Sequence, residues 1–468
     1  MKPEHIPLSS VWPGTSNGID WMWLWWGGTV ALCLWKLIEA VVFRPARMLE
    51  WPFLACAMWF YFFGVMAYKA KMTLSAYLGN GISEIGQMMD FLCLVGLLAG
   101  WSAGRRIPLR SSPPTQDYPL LLCWLVGISL VAIGGIGGHS MMRASDEGEI
   151  NFQTSSAYVY LLYQVGYPGF AIALWAALKS KPPLKYVLLG VTLAAEVVFL
   201  LPFLADARRG PLYPAVIILL LVPPLTQRRA PNRVLYCGGL LAVGIVMLVF
   251  VQVRLTTYGG GTWSEAFQKL NVNDAVVARG EDPYDNEYVN NCQVIGTIYQ
   301  NGKYEYGTGH MELFVHWVPR ALWPGKPELG AGYYTNRELF DDIESTTGDR
   351  LLGFGASIAG VADSFLQYGF LCPFFWFALG GISAVVYTKV LRSNSPWWMF
   401  CYVGLLCSTH WLISQSFSAA FVPGMYFQVI PLCVLAMVWL YRRLTAVPGK
   451  TGPRRPLPVA VKPHALSS

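Results

Sequence analysis

Charge is what this chain has least of. Only 13% of its 468 residues are Asp, Glu, Lys or Arg, and 54% are hydrophobic; soluble domains average about 25% charged. So little charge excludes an ordinary soluble globule. Cysteine is present but badly placed for cross-linking. Nine of the ten cysteines (Cys33, Cys56, Cys93, Cys123, Cys237, Cys372, Cys401, Cys407 and Cys433) fall in apolar runs, and Cys292 alone lies in a polar segment. Cysteines in apolar runs pack as small hydrophobes, so neither an intrachain disulfide nor a cysteine-based metal site is expected. The N-terminal MKPEHIPLSSVWPG lacks a basic stretch followed by an apolar run and a small-residue cleavage site, so no cleavable leader is expected.

Long apolar runs are what is there. A bilayer core of about 30 Å needs roughly 20 apolar residues, and about eleven such stretches can be placed: 20–43, 51–68, 82–101, 119–138, 157–178, 185–205, 212–225, 233–252, 357–391, 397–415 and 422–442. The run at 357–391 is long enough to hold a loop-proximal part as well. Basic residues gather in alternate connections, at Arg44 and Arg47, at Arg105, Arg106 and Arg110, from Lys179 to Lys185, at Arg228, Arg229 and Arg233, at Lys389 and Arg392, and from Arg442 onward. Short cytoplasmic loops carry such an excess, which places the N-terminus and 253–356 outside. The cytoplasm-facing connections hold no Gly-rich nucleotide loop, zinc spacing or D-x-D-type cluster, which speaks against a nucleotide-sugar-dependent transferase or an ATP-driven pump. The expected layout is an outer segment 1–19, a helix group 20–252, an outer loop or cap 253–356, a helix group 357–442 and a basic cytoplasmic tail 443–468.

The outer loop differs in sign from the rest. Residues 253–355 contain eight Lys/Arg and fourteen Asp/Glu within a chain of net charge +7. It is also rich in aromatics, among them Trp317, Trp323, Tyr333 and Tyr334. Aromatic faces stack on apolar surfaces such as the C–H faces of sugars, and Tyr hydroxyls bond other hydroxyls; the same residues also populate membrane interfaces. Segments 287–301 and 309–322 have apolar residues at helical spacing and are expected to lie on the outer leaflet, apolar face down.

Candidate chemistry centres on HWVPRALWPGKPELGAGYYTNRELF, residues 316–340. Arg320 and Lys326 stand among Pro319, Pro324 and Pro327, whose fixed φ stiffens the turn. Arg brings a planar fork and Lys a point charge, a pairing suited to phosphate or pyrophosphate; an exposed basic turn at the membrane surface is the plainer account. A second turn, LADARRGPLYP at 204–214, puts Arg208 and Arg209 beside Asp206 on the outer side, against the positive-inside trend. Anionic headgroups or a pyrophosphate leaving group would explain it. His310, Glu312 and His316 share one expected helix, with Glu312 and His316 one turn apart. They match no metal signature; they make a surface pair or supply a general base. Asp90 and Glu196 lie inside expected spans, where an ionisable group is costly and marks function or helix-to-helix bonding. Lys36 and Glu39, one turn apart near a cytoplasmic end, fit a snorkelling pair.

The pattern resembles the O-antigen and exopolysaccharide repeat-unit polymerases, the Wzy family. VPRALWPGKP, Val318 to Pro327, is similar to the family's P-R-x-x-x-P-x-K-P; ARRGPL, Ala207 to Leu212, is similar to its S-R-G-x-L; and residues 355–381 are similar to its acidic–aromatic–n-F-G stretch before an apolar span. Asp363 stands where the family more often has Glu, and Gln367-Tyr368-Gly369 replaces n-F-G. An R-x15-G match from Arg337 to Gly353 is expected by chance among 46 glycines. The likeness spans about residue 20 to 442.

The resemblance implies an all-α integral membrane protein of the bacterial inner membrane, with about eleven spans, one large extracytoplasmic loop and GT-C-like glycosyltransferase architecture. It implies metal-independent transfer of a growing glycan from undecaprenyl pyrophosphate onto a new lipid-linked repeat unit, with no cofactor and no nucleic acid. A flippase and a chain-length regulator are the implied protein partners, and membrane lipids surround the chain. Arg209, Arg320 and Lys326, with Arg208 behind them, would steady the departing pyrophosphate. Asp206, Glu312, His316 and Asp363 are candidates for the base; Trp317, Trp323, Tyr333, Tyr334 and Arg337 are candidates for glycan or pyrophosphate contact. An O-antigen ligase would need the same parts. A flippase or other transporter would instead use Asp90 and Glu196, although the internal repeats common in transporters are missing.

Overall fold

The computed structural model describes residues 20–74, 80–109, 118–146, 162–205, 208, 210–258, 262–268, 286–315, 323, 358–393 and 395–445. Among them every regular element is a helix. In chain order these are α1 (Met22–Ile38), α2 (Trp51–Trp59), α3 (Met66–Thr73), α4 (Asn80–Arg106), α5 (Leu120–Asp146), α6 (Gly166–Lys179), α7 (Leu184–Ala205), α8 (Leu212–Gln227), α9 (Arg233–Tyr258), α10 (Trp263–Gln268), α11 (Glu287–Asn301), α12 (Thr308–Val315), α13 (Gly360–Tyr368), α14 (Cys372–Arg392), α15 (Pro396–Ser414) and α16 (Phe417–Thr445). A π-helical stretch, Phe60–Val65, joins α2 to α3. Two of its carbonyls are taken up by side chains: Trp26 Nε1 donates to Gly64 at 2.8 Å and Gln87 Nε2 to Phe63 at 3.3 Å.

Seven helical runs among the described residues are long and apolar enough to cross a membrane: Met22–Phe43, Trp51–Thr73, Gly81–Arg106, Leu120–Ser140, Leu184–Ala205, Gly360–Arg392 and Ala419–Tyr441. The chain is therefore a multi-pass α-helical membrane protein. The other four expected spans also hold helices, α6, α8, α9 and α15, whose apolar windows are shorter or less apolar than in those seven runs. The long run at 360–392 is not one helix. It breaks at Gly369, whose φ of +56° and ψ of −137° suit glycine alone, into α13 and α14.

The bundle is held by close backbone contact. Gly96, Gly100 and Gly104 of α4 face α14, where a Cβ would meet Pro373 O at 2.3 Å, Phe377 O at 1.9 Å and Gly381 O at 2.4 Å. Small residues at four-residue spacing let membrane helices approach this closely. The contacts advance together along both helices, so α4 and α14 run parallel.

One end of the bundle collects the basic connections. Arg233 Nη1 donates to Val42 O at 2.9 Å, Arg228 Nη2 to Ser393 O at 3.1 Å, and Arg392 Nη1 to Leu109 O at 2.9 Å. Lys36 and Arg47 share Glu39, and Arg105 approaches Glu50 at 3.7 Å. Interlocking of these separate basic strings at one end is what the positive-inside pattern asks for.

The outer-loop helix α11 departs from expectation. It does not lie on a surface: every residue from Tyr288 to Ile298 is buried. A Cβ on Gly86 would meet Cys292 Sγ at 2.4 Å, a Cβ on Gly296 would meet Ile82 Cγ1 at 3.0 Å, and Asn291 reaches Asp90. Position along α4 rises as position along α11 falls, so α11 enters antiparallel to α4. From Asn80 to Asp90 an α-helix advances about 15 Å, and α11 penetrates to that depth. Asn286 caps its N-terminus, accepting from the Tyr288 and Val289 amides at 3.1 and 3.2 Å, as a buried helix end requires.

Candidate functional site

The site is built where α11, α12, α13 and the start of α16 meet, at the end away from the basic strings. Asn291 is its hinge piece. Its Nδ2 donates to Asp90 Oδ1 at 3.0 Å, and its Oδ1 accepts the Ala362 amide at 3.0 Å. One buried amide thus joins a carboxylate inside a span to the first turn of α13. Asp90 thereby makes a helix-to-helix bond through Oδ1, while its Oδ2 is buried without a hydrogen-bond partner.

Asp363, in the first turn of α13, is fully buried. Its Oδ2 accepts the Phe417 amide at 2.7 Å and lies 3.3 Å from His310 Nε2. Since a carboxylate accepts, the Nε2–H of His310 donates to it, while Nδ1 bonds the Tyr368 hydroxyl at 3.1 Å. The His310 ring is packed against Phe417 at 4.8 Å, Phe375 at 5.0 Å and Tyr368 at 5.5 Å between centroids. His310 is therefore no surface residue: it clasps α12 to α13 and to the start of α16. A second clasp stands beside the first. Gln367 Nε2 donates to Glu305 Oε2 at 2.5 Å, and Gln367 Oε1 accepts the Gly309 amide at 3.1 Å.

Asp363 spends Oδ2 twice, whereas its Oδ1 is buried without a hydrogen-bond partner. Partnerless buried polar atoms recur on α11: Asn290 Oδ1, both amide atoms of Gln293 and Thr297 Oγ1. At 100° per residue, Asn290, Gln293 and Thr297 fall within about 60° of one another on the helix, centred about 130° round from Cys292, which faces α4. All three are neutral and buried. Buried groups of this kind are normally bonded, and leaving each unbonded costs about 1–3 kcal/mol. A stripe of amides and a hydroxyl offers both donors and acceptors with no net charge, the chemistry that matches a polyhydroxylated neutral ligand.

Of the residues expected to carry chemistry, Asp363 is at the heart of this cluster. Glu312 lies on α12, the helix that His310 fixes. Arg208 sits just beyond α7, its amide donating to Phe203 O at 2.8 Å. The loop reaches the same place, because Trp263 Nε1 of α10 donates to Ala205 O at 2.8 Å. Trp323 is exposed. Asp206, Arg209, His316, Trp317, Arg320, Lys326, Tyr333, Tyr334 and Arg337 lie outside the described residues. Residues not singled out from the sequence for the site are Asn290, Asn291, Gln293, Thr297, Glu305, Gln367 and Tyr368. Among the described residues no group of three or more His, Cys, Asp or Glu is arranged to hold a metal ion.

Fold and site together define a multi-pass helical membrane protein with a buried polar cluster at one end. Compared with protein-family models, curated proteins and solved structures, the chain matches none.

Proposed function

We propose that this protein is a lipid-pyrophosphate-dependent glycan polymerase of the bacterial inner membrane, joining undecaprenyl-pyrophosphate-linked repeat units into O-antigen or exopolysaccharide on the outer face. The observation that carries this proposal is the neutral stripe of Asn290, Gln293 and Thr297, buried with Asn290 Oδ1, both Gln293 amide atoms and Thr297 Oγ1 unbonded, in a helix that enters the bundle from the acidic loop. Neutral hydrogen-bonding groups at that depth suit a glycan delivered on a lipid better than they suit an ion. About eleven spans and a GT-C-like arrangement belong to the same proposal.

In the proposed reaction an acceptor hydroxyl attacks the anomeric carbon of the donor glycan. The bond from that carbon to the pyrophosphate oxygen breaks, and the lipid pyrophosphate leaves with the electron pair. Arg320 and Lys326, with Arg209 and Arg208, offset the charge that develops on it. A carboxylate or imidazole takes the acceptor proton, Asp206, Glu312, His316 and Asp363 being the candidates. Asp363 has its Oδ2 committed to His310 and Phe417, so its natural part is positioning. His310 on α12 and Asp363 on α13 flank the 316–357 segment in the chain, and their bond ties the two flanks together.

Glu196 favours one alternative. It is buried in α7 with neither carboxylate oxygen bonded, a feature a lipid-linked glycan flippase would use. The glycan ladder of cells carrying Arg320→Ala separates the possibilities. Loss of long chains with single repeat units still displayed supports the polymerase; loss of both from the surface, with glycan retained on carrier lipid, supports a ligase or flippase; a normal ladder contradicts the proposal.

A further inference from the structure

At the basic end, α1, the turn at 45–49 and α4 enclose a cavity of about 260 Å³. Its lining includes four cations, Lys36, Arg47, Arg105 and Arg106, against two carboxylates, Glu39 and Glu50, which leaves it positive. The cations are not equally committed. Lys36 Nζ lies 3.1 Å from Glu39 Oε2, and Arg47 bonds the other oxygen of the same carboxylate. Arg105 is 3.7 Å from Glu50, too far for a hydrogen bond. Its guanidinium carbon sits 5.0 Å over the Tyr387 ring, and its Nη1 is buried with no hydrogen-bond partner.

A guanidinium braced on an aromatic ring, with a donor unspent, is pre-organised for the oxygens of a phosphate. Two carboxylates in the same lining disfavour a highly charged polyphosphate and leave room for a phosphodiester. On the helical run Met22–Phe43 that carries Lys36, Trp35, Ile38 and Val42 are exposed at three- and four-residue spacing, an apolar surface on the same element for acyl chains. Basic pockets between membrane helices at the cytoplasmic surface take anionic headgroups in this way.

We propose that this cavity is a phosphate-ester site that holds the headgroup of an anionic phospholipid through Arg105, Arg106 and Lys36. It is separate from the glycan site at the opposite end. The bound headgroup would pin α1 and α4 at one depth in the leaflet.

The test is native mass spectrometry of the full-length protein in detergent, with phosphatidylglycerol, phosphatidylcholine and inorganic phosphate as separate probes. Phosphatidylglycerol should be retained over phosphatidylcholine, and Arg106→Gln and Lys36→Gln should each weaken it about fivefold. Arg105→Lys keeps the charge and the approach to Glu50 but loses the fork, and it too should bind more weakly. Retention of inorganic phosphate that depends on Arg106, without preference between the two lipids, would keep the phosphate site and assign its ligand to solution. Equal retention of both lipids without phosphate binding, or wild-type retention in all three variants while they remain monodisperse, would overturn the proposal.

Discussion

The two ends of this bundle handle polarity in opposite ways. At one end the polar groups are charged, partly exposed and, Arg105 apart, mostly settled on carboxylates or backbone carbonyls, as with Arg233 on Val42 O and Arg392 on Leu109 O. At the other they are mostly neutral and buried: Asn290, Asn291, Gln293 and Thr297 in α11, with the His310–Asp363 pair beside them. Charge near the surface is cheap and sets orientation. Burying polar groups is costly unless they are bonded, so the neutral end is where function would repay the cost.

Removing one cation from the 316–340 string and one from the basic end is the strongest way to break that comparison. Arg320→Ala should lower chain extension at least about 100-fold, the usual cost of losing one group that stabilises transition-state charge. Arg229→Ala, at the exposed basic end, should leave the glycan ladder unchanged; the ladder read on the same gel checks both. Next in size is the clasp. Asp363→Ala strips partners from the Phe417 amide and His310 and should cost about 1–3 kcal/mol, read as a lower unfolding midpoint of the purified protein. Packing gives a similar contrast. Gly360→Ala would drive a Cβ to 1.8 Å from Leu412 O and should cost about 1–3 kcal/mol by overpacking. Gly190→Ala meets nothing within 4 Å and should stabilise α7 by up to about 1 kcal/mol.

The smallest effect belongs to the basic end. Burial raises the Glu50 carboxyl above its usual 4.5, against the opposing pull of Arg105 and Arg47. The folded state therefore holds that proton more tightly than the unfolded chain. Its stabilising contribution is complete below the ordinary value and is lost as pH rises through the raised one. Glu50→Gln should flatten this dependence, seen as a wild-type-minus-variant difference in unfolding midpoint that shrinks as pH rises above 4.5.

Seven spans were legible because hydrophobic length alone decides them, and the basic end because Lys and Arg mark it residue by residue. The break at Gly369 was half-legible: the 357–391 run was too long for one span, but only the φ of +56° locates the bend. The burial of α11 was not legible. Apolar spacing such as that of Val289, Cys292 and Ile295 is the same whether a helix lies on a surface or enters a bundle. The neglected signal was its other residues, since Asn290, Asn291, Gln293 and Thr297 are polar without charge, an odd choice for a helix facing water. His310 and Asp363 are separated by 53 residues, and no local pattern predicts a bond across that interval. The four-residue spacing of Gly96, Gly100 and Gly104 was another neglected signal, since small residues so spaced let membrane helices approach closely.

The neutral stripe is tested most directly by the glycan ladder of cells whose own copy is replaced by Gln293→Leu, with protein abundance in the membrane measured alongside. The account predicts short chains or single repeat units at near wild-type abundance. A wild-type ladder from that variant at full abundance would contradict a glycan site on α11.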